Sequence, residues 1–167
     1  MNTITNILQD SGNTEWYTPV EIIEAARETM EWISLDPASS NIANETVQAF
    51  EYYTAEDDGL TKQWRGHIWM NHPFGRGQNA KWINYLIDQY TQSNVVQACC
   101  ITFASTSEGW FQPLLAYPQC FIQGRTHYRK PNGETIKQAT KGSVVTYLGP
   151  NLARFRSAFK HIGMVKV

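Results

Sequence analysis

Hydrophobic positions along this chain follow two rhythms, a helical one and a near-continuous one, and they alternate. Ile22, Ile23, Ala26 and Met30 recur at helical spacing, and Pro19 sits where a first turn can begin. With Thr18 as N-cap and Glu21 in the first turn, they predict an amphipathic helix over 19–31. Residues 32–35 form a short apolar strand running into Asp36-Pro37-Ala38-Ser39-Ser40. From 41 to 66 no element stands out; 50–54 reads as a weak strand and 56–59 as a turn. A second short strand over 67–70 ends at Asn71-His72-Pro73-Phe74-Gly75, and a helix over 79–92 carries Trp82, Leu86 and Tyr90 on one face. Residues 95–103 are β-branched and almost unbroken in apolarity, as a strand buried on both faces must be. A helix over 108–116, strands over 120–123 and 143–148, and a closing helix over 152–161 complete the series. Strands alternating with helices predict a three-layer α/β domain on a mostly parallel sheet, helices on both faces. No repeat or linker interrupts it, so 15–167 is expected to be one domain behind a loosely held arm over 1–14.

Composition narrows this picture. The chain has 167 residues, 42% hydrophobic and 17% charged, enough to bury a core. Lysine plus arginine is 14 against 15 for aspartate plus glutamate, a net charge of −1. That excludes a uniformly basic nucleic-acid glove but permits a locally basic groove. No apolar run is long enough for a membrane span, since 95–104 is broken by Gln97, and the first residues lack a signal-peptide pattern. The expected location is therefore the cytoplasm. Cys99, Cys100 and Cys120 read as small buried hydrophobes, and with His67 and His72 they fit no zinc spacing, so no metal is expected.

Ligands of open α/β sheets bind beyond the carboxyl ends of strands, and two strand ends here carry unusual polar residues. At Asp36-Pro37-Ala38-Ser39 a carboxylate is followed by small residues, suited to a cationic or hydroxylated ligand, or simply to capping the next turn. At Asn71-His72-Pro73-Phe74 the Asn side-chain oxygen and the carbonyl before Pro73 can converge on one exocyclic amine. Phe74 adds a flat apolar face, the set an extruded purine needs. A plain Asn-X-Pro turn with a core Phe is the bland alternative.

At these motifs the chain resembles the small phage and prophage DNA N6-adenine methyltransferases, the phage Dam-like family. The resemblance runs from Glu15 to about Leu148 through an ordered series: Trp16-Tyr17-Thr18-Pro19; Asp36-Pro37-Ala38-Ser39 with Asn41 and Asn44; Tyr52-Tyr53-Thr54 through Asp57-Asp58-Gly59-Leu60; Trp64 and Gly66; Asn71-His72-Pro73-Phe74-Gly75 with Trp82; Trp110-Phe111; and Gly124-Arg125. It implies a compact Rossmann-like fold, S-adenosylmethionine (AdoMet) as methyl donor, and as acceptor the N6 amine of adenine flipped out of double-stranded DNA. Asn71, His72, Pro73 and Phe74 would then be the catalytic loop, with Asn71 Oδ1 and the His72 carbonyl accepting from N6 and Phe74 stacking on the base. Asp36 would meet the cofactor ammonium, together with Pro37, Ala38 and Ser39. Asp57 or Asp58 would take its ribose hydroxyls or adenine amine, and Trp16, Tyr17, Thr18 and Pro19 would close over its methionine end.

Three departures accompany the likeness. His72 replaces the usual Pro, and a titrating His there would make the rate vary with pH near neutrality. Residues 104–107 read Ala-Ser-Thr-Ser where relatives more often carry Pro and Arg, and no Gly-x-Gly follows Asp36. Arg76, Lys81, Arg125, Arg129 and Lys130 are the expected DNA contacts, from a 75–81 loop and a 124–142 hairpin. With no room for a separate target-recognition domain, the specificity expected is short or relaxed, serving to protect phage DNA from restriction. Two other functions stay open at this level: methylation of RNA, and a non-catalytic relic that binds nucleic acid or protein.

Overall fold

In the computed structural model, which describes residues 16–136 and 139–167, the longest strand is the spine of the sheet. This strand, β4 (Val95–Phe103), is buried at seven of its nine positions. Cys99 and Ile101 face one layer, Ala98 and Cys100 the other, as the two-residue period of a strand requires. The arm expected over 1–14 lies outside the described residues.

Around β4 the order is β2 (Glu51–Tyr52), β1 (Leu35–Asp36), β3 (Gly66–Met70), β4, β6 (Ser143–Leu148), β5 (Gln119–Ile122), β7 (Gly163–Lys166). The first four run parallel to one another; β6 and β7 are reversed, and β5 points with β4. The sheet is thus parallel on one half and antiparallel on the other. Trp69 lies opposite Cys99 and Phe103 opposite Ser143, which brings the carboxyl ends of β3 and β4 and the start of β6 to one edge.

Each face has its own layer. α1 (Val20–Met30) and α4 (Leu152–Phe159) cover the Cys99 face with Ile23, Met30, Phe155 and Phe159. α3 (Gln78–Thr91) covers the Cys100 face with Trp82, Ile83 and Leu86, joined by Phe111 and Leu114. The chain leaves β1 toward the α1 face, where α2 (Asn41–Val47) packs, and leaves β3 toward the opposite face, into α3. Such a reversal opens a crevice between the two strand ends.

β1 begins at Leu35 and not at Trp32, and four other elements differ from the sequence expectation. The first helix starts at Val20 with Pro19 in the cap position, which leaves Thr18 one residue outside it, its hydroxyl accepting from Asn71 Nδ2. α2 was illegible because it buries only Val47 and so shows no stripe. It is fastened at its ends instead: Ser40 Oγ accepts from Ala43 N at 3.1 Å, and Arg27 donates to the Thr46 and Val47 carbonyls at 3.1 and 2.8 Å. The helix expected over 108–116 is a 3₁₀ turn, Gln112–Ala116, with Pro113 at its start removing a donor. β7, four residues with half-exposed alternation, is a further edge strand on β5.

Gly59 opens another 3₁₀ turn, Gly59–Thr61, against the end of β1. The direction a Cβ would take is filled by the Pro37 carbonyl, with the Trp82 ring at 3.3 Å, and the Gly59 carbonyl accepts from Trp64 Nε1 at 2.8 Å. Gly59→Ala must push this loop off Pro37; the expected cost is about 2–3 kcal/mol. It would be read as a lower urea midpoint at unchanged slope. Gly109→Ala, which meets nothing within 4 Å, is the control and should stay within about 0.5 kcal/mol of the parent.

Candidate active site

A cavity of about 700 Å³ occupies the crevice beyond β1 and β3. Its floor is the end of β1, Asp36 to Ser39, and the loop after β3, Asn71 to Arg76. One wall is α2 with Ile42, Glu45 and Thr46; another is Asp58 to Leu60; Trp16 to Thr18 and residues 129–131 and 133 close the remaining side.

Asn71 sits just past the last strand residue, Met70. Its Nδ2 donates to the Trp16 carbonyl at 2.6 Å and to Thr18 Oγ1 at 3.1 Å. A carbonyl can only accept, so the amide nitrogen must face Trp16 and Oδ1 must face away from it.

His72 is buried, with Nε2 donating to Asn79 Oδ1 at 2.7 Å and Nδ1 without a partner. Burial pulls its pKa down to about 4, against a smaller opposing effect of Asn79. The ring is therefore neutral at pH 7, which corrects the expectation of a titration near neutrality: the sequence places a His beside the site, but the tertiary packing against Trp82 and Phe74 decides its charge.

Asp36 has the opposite perturbation. It is 2% exposed, accepts from Ala38 N at 3.2 Å, and pairs with no basic side chain among the described residues. Burial pushes its pKa up to about 7. The Ser39 hydroxyl is buried close by without a well-formed hydrogen bond, and its proximity lowers the Asp36 pKa by less than burial raises it.

Phe74 belongs to a cluster of four rings. Its centroid lies 4.7 Å from Phe103, 6.0 Å from Tyr128 and 6.4 Å from Trp16, and those three rings also contact one another at 5.5 to 6.5 Å. Tyr128 is anchored by Ser143 Oγ at 2.9 Å. A small hairpin follows it, with Ile136 N donating to the Tyr128 carbonyl and Lys130 N to the Glu134 carbonyl. Tyr17 and Arg129 exchange backbone hydrogen bonds of 2.7 and 2.9 Å, and Tyr17 Oη lies 2.9 Å from Ser40 Oγ. The N-terminal turn, the hairpin and α2 are thus joined around the cavity mouth.

Of the residues singled out in the sequence, Trp16, Tyr17, Thr18, Asp36, Pro37, Ala38, Ser39, Asp58, Asn71, His72, Pro73, Phe74, Arg76, Arg129 and Lys130 share this cavity. Pro19, Asp57, Lys81 and Arg125 lie outside its wall. The Asp57 carboxylate caps its own turn, accepting from Thr54 N at 2.8 Å and Thr54 Oγ1 at 2.9 Å, which holds it below the usual carboxylate range. Lys81 is on the exposed side of α3, and Arg125 reaches toward Gly142. Sequence reasoning missed Phe103, Tyr128 and the α2 wall; Ser40 three residues before Ala43 was the available signal for α2. The three thiols are free and buried, and burial pushes all three up, Cys120 to about 11. Among the described residues no group of three His, Cys, Asp or Glu could hold a metal, and no helix is long and apolar enough to cross a membrane.

The two shifted groups oppose each other in acid. His72, with its folded value below the unfolded one, contributes stability fully above about pH 6.5 and loses it as pH falls toward 4. Asp36, raised above its unfolded value, contributes fully below about pH 4 and loses it as pH rises through 7. Asp36→Asn removes the second effect. At pH 8 the ligand-free variant should be about 2–4 kcal/mol more stable than the parent, and from pH 7 to 4.5 it should lose about 2–3 kcal/mol more. Urea unfolding at the three pH values measures both; parallel curves would mean that Asp36 is solvated and ionised.

No curated protein and no solved structure matches the chain. The model of the DNA N-6-adenine-methyltransferase (Dam) family matches residues 5–161, a span that holds the whole cavity wall. With nearly its full length matched, the chain belongs to the DNA N-6-adenine-methyltransferase family.

Proposed function

We propose that the protein transfers the methyl group of AdoMet to the N6 amine of an adenine turned out of double-stranded DNA. The observation that carries this is the pairing, across one cavity, of a buried carboxyl lacking a cation with an amide oxygen turned away from its own hydrogen-bond partners. AdoMet carries an ammonium group, and Asp36, with the orphaned Ser39 hydroxyl beside it, fits such a cation. The cavity volume is that of a site for a ligand of this size. When bound, AdoMet supplies a methyl group activated on sulfonium sulfur.

The chain's own residues do the rest. Asp36 and Ser39 hold the ammonium, and Asp58, the carboxylate of the Asp57-Asp58 pair that reaches the cavity, takes the ribose hydroxyls or adenine amine. Asn71 Oδ1 and the His72 carbonyl accept the two N–H bonds of N6, favouring a pyramidal nitrogen whose lone pair is no longer spread into the ring. Phe74, backed by three rings, offers the surface on which the base stacks. Nitrogen becomes acidic only once its bond to carbon forms, so its proton passes to solvent without a base, and neutral His72 is not needed as one. Arg76, Arg129 and Lys130 flank the mouth and meet phosphates. DNA contacts then come from two short segments, the loop after Phe74 and the hairpin that carry these cations, and the specificity is short or relaxed. Broad methylation of this kind masks phage DNA from restriction endonucleases.

Two measurements test the reading. Labelled AdoMet and unmethylated duplex DNA should give N6-methyladenine after nucleoside digestion, and Asn71→Ala should lower the rate at least about 100-fold while AdoMet still raises the melting temperature. Transfer to RNA and not to DNA, or binding with no transfer to either, would overturn it. Because the contact requires ionised Asp36 and a protonated ligand amine, AdoMet affinity should rise up to about tenfold per pH unit below 7, flatten just above, and fall once the α-amino group loses its proton at about pH 8. Calorimetry between pH 5.5 and 8.5 reads this, and a flat profile would remove Asp36 from the ammonium site.

A further inference from the structure

We infer that Thr18 is a positioning residue of the reaction: its hydroxyl, together with the Trp16 carbonyl, holds the Asn71 amide in the orientation that turns Oδ1 toward the substrate. The inference rests on the proposed use of Asn71 as acceptor for the N6 amine.

An asparagine amide and its 180° flip have nearly the same shape but opposite chemistry. With oxygen outward the group accepts an N–H; with nitrogen outward it opposes two donors to the two donors of an amine. A side chain free to sample both presents the wrong face part of the time. Here both N–H bonds of Nδ2 are spent, on the Trp16 carbonyl at 2.6 Å and on Thr18 Oγ1 at 3.1 Å. The flipped amide would set its oxygen against the Trp16 carbonyl, which can only accept, so that contact selects the orientation; the Thr18 hydroxyl supplies the second bond that keeps the selected amide from swinging in place.

The partners lie 55 and 53 positions away in the chain, and the fold fixes both. Trp16 is held in the ring cluster. Tyr17, between them, is paired in both directions with Arg129. After Thr18 comes Pro19, whose carbonyl already receives Ile22 N and Ile23 N as α1 begins. Thr18 itself is 8% exposed. Thr18 stands one residue before the N-cap Pro19, where its hydroxyl owes nothing to α1 and is left to serve Asn71. It also sets a requirement on the catalytic position. An aspartate there would offer N6 the same acceptor, yet its second oxygen would face the Trp16 carbonyl, so Asn71→Asp is not a conservative change in this protein.

The test uses Thr18→Val, which keeps the shape and removes the acceptor, Thr18→Ser, which restores it, and Thr18→Ala, should valine disturb packing. For the Val and Ala variants the expected result is a loss in kcat of about tenfold, with AdoMet affinity within about twofold of the parent. The Ser variant should recover to within about threefold of the parent. A second readout needs neither AdoMet nor DNA. In ¹⁵N-labelled protein the Asn71 side-chain amide protons, assigned by their loss in Asn71→Ala, should be protected from solvent exchange, lose protection in Thr18→Val and regain it in Thr18→Ser. Asn71→Asp should fall below Thr18→Val in kcat. Parental kcat with parental amide protection in both Thr18→Val and Thr18→Ala would overturn the inference. Weakened AdoMet binding at unchanged kcat would also overturn it, assigning Thr18 to the cofactor. If the parent protein transfers no methyl group to adenine, the functional reading fails by itself, and the exchange measurement still decides whether Thr18 holds Asn71.

Discussion

Everything at the mouth of this cavity hangs on four rings. Trp16, Phe74, Phe103 and Tyr128 come from the N-terminal turn, the loop after β3, the last residue of β4 and the start of the hairpin, and every pair among them is in contact. Each ring adds buried area, and the edge-on and tilted contacts add direction, so the cluster fixes where four separate segments stand. Phe103 is the member that cannot move, because it ends the longest strand of the sheet and lies opposite Ser143, which in turn anchors Tyr128. The rigid sheet is thereby extended outward into loops that would otherwise have only water to lean on. Precision of this kind is what a positioning mechanism requires.

The electrostatics of the site follow from the same packing. Aromatic walls exclude water, and in such surroundings a group keeps whichever protonation state carries less uncompensated charge. For His72 that is the neutral ring, for Asp36 a carboxyl ionised only in part at neutral pH. The cavity thus holds, beside its exposed charges, one buried carboxyl with no basic side chain paired to it among the described residues, and ionising it costs the folded state stability.

How much of this was legible in the sequence depended on how local the cause was. Residues 95–103 and 143–148 announced themselves because a strand buried on both faces is mostly apolar and β-branched, and both were found at their observed bounds. That Asn71 and Asp36 would line one crevice was legible because each stands at the carboxyl end of a short apolar strand, where such sheets open their clefts. α2 was not, since one buried residue makes no period. The partnership of Thr18 with Asn71 was hidden for a different reason: Thr18 followed by Pro19 reads locally as a helix cap, and only the tertiary fold brings Asn71 to its hydroxyl. The state of His72 was hidden likewise, because charge depends on neighbours from α3 and the cavity wall that spacing does not reveal. Phe103 and Tyr128 carried no signature at all; a ring cluster assembled from distant segments is a property of the fold.

α2 has one further consequence. A seven-residue helix with a single buried side chain, fastened by Ser40 at one end and Arg27 at the other, draws little from the core that stabilises its neighbours. Its other ties are polar as well: Asn41 accepts from Tyr52 Oη at 2.7 Å, and Asn44 bonds both backbone groups of Ala49. Yet Ile42, Glu45 and Thr46 face the cavity, so a molecule bound there supplies the contacts the core withholds. A ligand seated there would complete the packing of this wall, and the part of its binding free energy that went into holding α2 would be withheld from affinity. Such an arrangement would favour exchange over tightness of grip, the balance suited to a pocket that must empty after each turnover.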